Sequence, residues 1–104
     1  MSKEVGLLDE QKLQLLGHNV VRVVDNSDEY MQRALIVFKN GLELSIIAGD
    51  GAYGNEANPF EIAPINTQGA LDGSFFDEED QWDDVLGYVN LDKINYYIAK
   101  MGAL

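Results

Sequence analysis

The sequence predicts an α+β fold: a mostly antiparallel sheet of four or five strands, with an N-terminal and a C-terminal helix packed on one face. Three observations predict it. Asn40-Gly41 sits between two alternating apolar runs, which is a hairpin signal. Leucines recur at helical spacing near the start, and Leu91, Ile94, Ile98 and Met101 do so near the end.

Taken in order, Leu7, Leu8, Leu13 and Leu16 predict a helix of about three turns over 7–16, and Gly17 suits its C-cap. "NVVRVV" (19–24) is β-branched and reads as a strand, closed by the polar turn "DNSDEY". In the hairpin, Ala34, Ile36 and Phe38 alternate with Arg33, Leu35 and Val37. On its second arm Leu42, Leu44 and Ile46 alternate with Glu43, Ser45 and Ile47, so the first three should face a core and Glu43 and Ser45 lie nearer solvent. Asn-Gly predicts a type I′ turn, whose two central residues both need positive φ.

"PFEIAPIN" (59–66) reads as another strand, with Pro64 placing it at an edge or a bulge because proline cannot donate to the ladder. "GALDGSFF" (69–76) predicts a further short strand, and "DEEDQWDD" (77–84) a loop or the start of a helix. Asn90 is a good N-cap for the last helix. Lys93 and Lys100 fall on its outer side, and Lys100 suits the dipole at its end. Tyr96 and Tyr97 read as one core and one boundary residue.

The 104 residues suit a single domain over 1–104, and an apolar fraction of 46% argues against disorder. No apolar stretch approaches the roughly 18 residues of a membrane span, and the first residues do not resemble a signal peptide. The absence of cysteine excludes a disulfide, a thiolate metal site and a cysteine nucleophile. These features lead us to expect a cytoplasmic protein with no membrane partner.

The net charge of −11 is unevenly placed. Residues 40–92 hold twelve acidic side chains and no Lys or Arg. Such a surface repels phosphate backbones, which argues against direct nucleic-acid binding, and it attracts basic protein surfaces or cations.

"GDGAYG" (49–54) matches G-x-G-x-x-G, but a dinucleotide fingerprint needs a helix next. Here Pro59 follows within five residues and biases Asn58 away from helical angles. Asp50 and Glu56 have no cation nearby in the chain to offset them. The expectation is a wide strand-to-strand connection with Tyr53 packed back onto the sheet.

Asp77, Glu78, Glu79, Asp80, Asp83 and Asp84 do not fit the spacing of an EF-hand, so a solvated acidic face is expected rather than a metal site. Trp82 lies among them. Its indole should tuck into the core; the alternative is an anchor on a partner, with the carboxylates steering association. His18 is the only histidine, and just after a helix end it reads as a cap or surface residue. Ser2, Ser27, Ser45 and Ser74 lack the glycine elbow of a hydrolase. The sequence therefore indicates no catalytic residue, no cofactor and no enzyme.

"FKNGLELSIIAGDGAYG", "PFEIAPIN" and "DDVLGYVNLDKINYYIAKMGAL" together resemble a group of small uncharacterised proteins of tailed bacteriophages. The likeness covers roughly residues 34–104. It rests on the ordered combination of Asn40-Gly41, Tyr53-Gly54 and Asp83-Asp84-Val85-Leu86-Gly87-Tyr88. The chain departs from the pattern in "NEANP" after the glycine turn and in its longer acidic run at 77–80. The resemblance implies a phage or prophage origin and an α+β fold, and brings no catalytic residues.

The expected function is a non-enzymatic protein-binding module. It would engage a host or defence protein with a basic surface through Asp77, Glu78, Glu79, Asp80, Trp82, Asp83 and Asp84. The alternatives are a DNA mimic that inhibits a nucleic-acid-binding protein, and a structural or metal-steadied homodimer joined through the strand nearest Pro64.

Overall fold

The structure, a computed structural model, describes residues 19–49 and 51–104. Five strands form one antiparallel sheet in sequence order: β1 (Val20–Asp25), β2 (Met31–Phe38), β3 (Glu43–Gly49), β4 (Phe60–Ile65) and β5 (Leu86–Val89). Helix α1 (Leu91–Gly102) closes the chain. The sheet and this helix agree with the sequence. The helix expected over 7–16, with Gly17 and His18, lies outside the described residues.

The period-two alternation sets the core. Ala34 pairs with Ile46 and Ile36 with Leu44 across β2 and β3; Ile46 pairs with Ile62 and Ala48 with Phe60 across β3 and β4. All these side chains turn to one face, where Ile36, Leu44, Ile46 and Ile62 are fully buried. α1 lays Ile94, Tyr97, Ile98 and Met101 onto them. Each such side chain contributes roughly 1.5–3 kcal/mol on burial. Asn90 caps the helix as expected, its Oδ1 accepting from the Lys93 amide at 3.0 Å.

The hairpin turn is not type I′. Only Gly41 has positive φ, at 90°; the Gly41 amide donates to Phe38 O at 3.0 Å and the Phe38 amide to Leu42 O at 2.9 Å. This is a three-residue loop with glycine in the left-handed position. Asn40 is employed differently. Its Nδ2 donates to Met101 O at 2.8 Å and Leu104 O at 3.0 Å, and its Oδ1 accepts from the Leu42 amide at 3.0 Å. Asn19 Nδ2 donates to Gly102 O at 2.8 Å. Two asparagines from the β1–β2 end of the sheet thus donate to carbonyls at and just beyond the helix C-terminus.

β4 is not an edge strand: it pairs with β3 on one side and β5 on the other. Pro64 is tolerated because β5 begins at Leu86, opposite Ile62, and does not reach Pro64, whose carbonyl accepts from the Asp72 amide at 2.9 Å. Residues 69–76 form no strand. They give one isolated bridge, Leu71 to Ile65, and a 3₁₀ turn, Gly73–Phe75, capped by the Asp72 carboxylate. The fifth strand is instead Leu86–Val89. Its Tyr88 has φ 58° and donates its amide to Tyr53 O at 2.8 Å.

Candidate functional site

The acidic stretch folds as a 3₁₀ turn, Glu78–Asp80, with Asp77 at its N-cap position. At three residues per turn, Asp77 and Asp80 fall on the same side, while Glu78 and Glu79 fall elsewhere. On α1, Lys93, Tyr97 and Lys100 stand at i, i+4 and i+7, which makes another single stripe. The two stripes face each other.

Asp80 accepts from Lys93 Nζ at 3.0 Å and from the Tyr97 hydroxyl. Asp77 accepts from Lys100 Nζ and from the Tyr96 hydroxyl, and its own amide donates to Tyr97 Oη at 2.9 Å. Asp80 is 9% exposed. The Tyr97 ring is fully buried and meets Phe76 edge-on, with ring centroids 5.3 Å apart. Gln81 Nε2 donates to Phe76 O at 2.8 Å and closes the turn.

The electrostatics follow from these contacts. Hydrogen bonds from Lys100 and Tyr96 hold the Asp77 carboxyl below its ordinary range. Burial, then the bond to Asp80, pushes the Tyr97 hydroxyl well up. The bond to Asp77 does the same to Tyr96. Lys93 and Lys100 are therefore not on an outer side: with side chains 37% and 31% exposed, they neutralise the inward half of the acidic turn.

The outward half has no such partner. Glu78, Glu79, Asp83 and Asp84 are exposed, and none of them ion-pairs with a described residue. Asp84 Oδ1 accepts from the Gly73 amide at 2.9 Å, and Asp83 Oδ1 from the Asp84 amide at 2.7 Å, which fix the return of the loop. Trp82 does not tuck into the core. It is 87% exposed, and its Nε1–H donates to Glu79 O at 3.1 Å, so the indole is held against the acidic turn in solvent.

The sequence reading grouped seven residues; the structure divides them. Asp77 and Asp80 face α1, Asp84 ties the loop, and Glu78, Glu79, Trp82 and Asp83 face outward. That reading missed Tyr97, Lys93 and Lys100 as the inward partners. The signal for them was present: the only cations after Lys39 share one helix stripe with a tyrosine.

The glycine loop is a strand connection with no helix after it. Gly49 has φ 114°, and a Cβ there would lie 2.6 Å from Tyr30 O. The Tyr53 backbone packs against β5 while 62% of the residue stays exposed. A groove beside it is lined by Glu56, Phe60, Leu91 and Asp92. Its charged groups are both acidic, which opposes a phosphate. Among the described residues, no three His, Cys, Asp or Glu side chains converge as metal ligands, and no helix is long and apolar enough to cross a membrane. No family model, curated protein or solved structure matches the chain.

Proposed function

We propose that this chain is a small acidic, phage-type, non-enzymatic binding module that engages a host or defence protein bearing a basic patch. The contact is the outward side of the acidic turn: Glu78, Glu79, Trp82 and Asp83, with Asp84 at its margin. One observation carries the reading. Trp82 is held exposed by a specific hydrogen bond amid unneutralised carboxylates, although the neighbouring Phe76 is buried. An exposed, oriented indole supplies contact area, and the carboxylates around it steer a cationic partner.

The test is affinity capture of the tagged protein from a bacterial lysate at low and at high salt, with mass spectrometry of what is retained. The reading expects a stoichiometric basic-faced protein at low salt that is released at high salt. It should also be lost in Trp82→Ala. Retention of nothing specific at either salt removes the proposal. Displacement of the captured protein by duplex DNA would favour the DNA-mimic reading instead.

A further inference from the structure

We infer that the groove between residues 56–60 and the first turn of α1 takes an arginine side chain from a basic peptide segment of a partner protein. Its less exposed lining, Pro59, Phe60 and Leu91, is apolar, and its exposed lining includes Glu56 and Asp92. Neither carboxylate ion-pairs with a described residue. The cation next to Asp92 in sequence, Lys93, is committed to Asp80 at 3.0 Å. The positive end of α1 offsets only about half a unit charge, which leaves the groove anionic. Its volume of about 440 Å³ falls within the roughly 300–1,000 Å³ of ligand sites. Arginine suits this combination, because its stem covers apolar surface while its planar fork bonds carboxylates.

A second observation marks the same corner of the fold. Phe60 pairs with Val89 and Ile62 with Leu86, so Gly87 and Tyr88 together stand opposite Glu61 in a bulge. Tyr88 takes φ 58°, a left-handed conformation that a bulky residue adopts only at a cost. Bulges are frequent beside functional sites, where they re-aim a side chain. Here the cost leaves Tyr88 57% exposed beside Tyr53, itself 62% exposed. The Tyr53 backbone is fixed on both sides: its amide donates to Glu61 Oε1 at 2.9 Å, and its carbonyl accepts from the Tyr88 amide at 2.8 Å. Tyr88 stands two residues before Asn90 of the groove lining. Gly54, next to Tyr53, lies so close to the groove wall that a Cβ there would be 2.5 Å from Pro59 O. The two exposed tyrosines thus extend the surface for the peptide that flanks the arginine. None of these residues belongs to the outward side of the acidic turn, so the groove is a separate contact from the one proposed there.

The test titrates the isotope-labelled full chain with a capped Gly-Arg-Gly peptide, and with its Gly-Lys-Gly counterpart, while amide NMR signals are followed. The inference expects saturable shifts at residues 54–60 and 87–92 with the arginine peptide, and about threefold weaker binding of the lysine peptide. Glu56→Gln with Asp92→Asn should weaken arginine binding about tenfold while the β2 and β3 amides stay in place. Tyr88→Gly should weaken it about threefold without lowering the melting temperature, because glycine adopts φ 58° freely. No saturable shift, shifts confined to residues 77–84, equal affinity for the two peptides, or undiminished affinity in either variant would overturn it.

Discussion

Asp77 and Asp80 share one short turn with Glu78 and Glu79, with Asp83 just after it, yet the two sets meet opposite surroundings. The inward pair is bonded to two lysines and two tyrosines of α1, whereas the outward set carries its charge beside an exposed indole. The difference lies in the period of the turn. Three residues per turn align Asp77 with Asp80, and a helix stripe with matching cations meets them. A run of acids can thus fasten a loop with one side and present charge with the other. Much of the twelve-acid stretch is left for solvent or a partner.

The sharpest way to break the comparison is to remove the inward side at its most buried point. Asp80→Ala leaves Lys93 and the buried Tyr97 hydroxyl without their acceptor and should cost about 2–3 kcal/mol, read by urea denaturation. Tyr97→Phe keeps the ring but strips the Asp77 amide of its acceptor and Asp80 of a donor, which should cost about 1–2 kcal/mol.

Asp77→Asn should cost about 1 kcal/mol or less at neutral pH, because Asp77 and Lys100 are both part-exposed. Its larger signature is in pH. The folded-state pKa of Asp77 is depressed, so its contribution is present above the ordinary aspartate value of about 3.9 and is lost as pH falls through the lower folded value. Asp77→Asn should therefore flatten the acid limb of a melting-temperature profile. The smallest effect belongs to the outward side: Glu78→Gln, Glu79→Gln and Asp83→Asn should each change stability by no more than about 0.5 kcal/mol.

Period-two and helical patterns made β1 to β4 and α1 legible, because burial of one face imposes those periods directly. β5 was harder to read. It has four residues, contains Gly87, and holds Tyr88 at positive φ. The Asn-Gly turn was located correctly and typed wrongly, because the Asn40 side chain is drawn to carbonyls at the chain's C-terminal end by contacts 61 and 64 residues away. Trp82 shows the same limit. Hydrophobicity predicts burial, but it does not report that the Trp82 indole donates to the Glu79 carbonyl and stays 87% exposed. The division of the acidic turn was written in the spacing of Lys93, Tyr97 and Lys100, and needed only the loop's 3₁₀ period to be seen.

The central claim is that binding resides on the outward side and stability on the inward one. The most direct measurement compares two variants of the full chain, the combined Glu78→Gln, Glu79→Gln, Asp83→Asn protein and Asp77→Asn, for retention of the captured partner at low salt and for thermal melting. The account predicts that the first loses the partner with its melting unchanged, and that the second melts lower at neutral pH, converges on the unsubstituted chain in acid, and keeps the partner. A triple variant that still holds the partner, or one whose melting falls along with its binding, would contradict it.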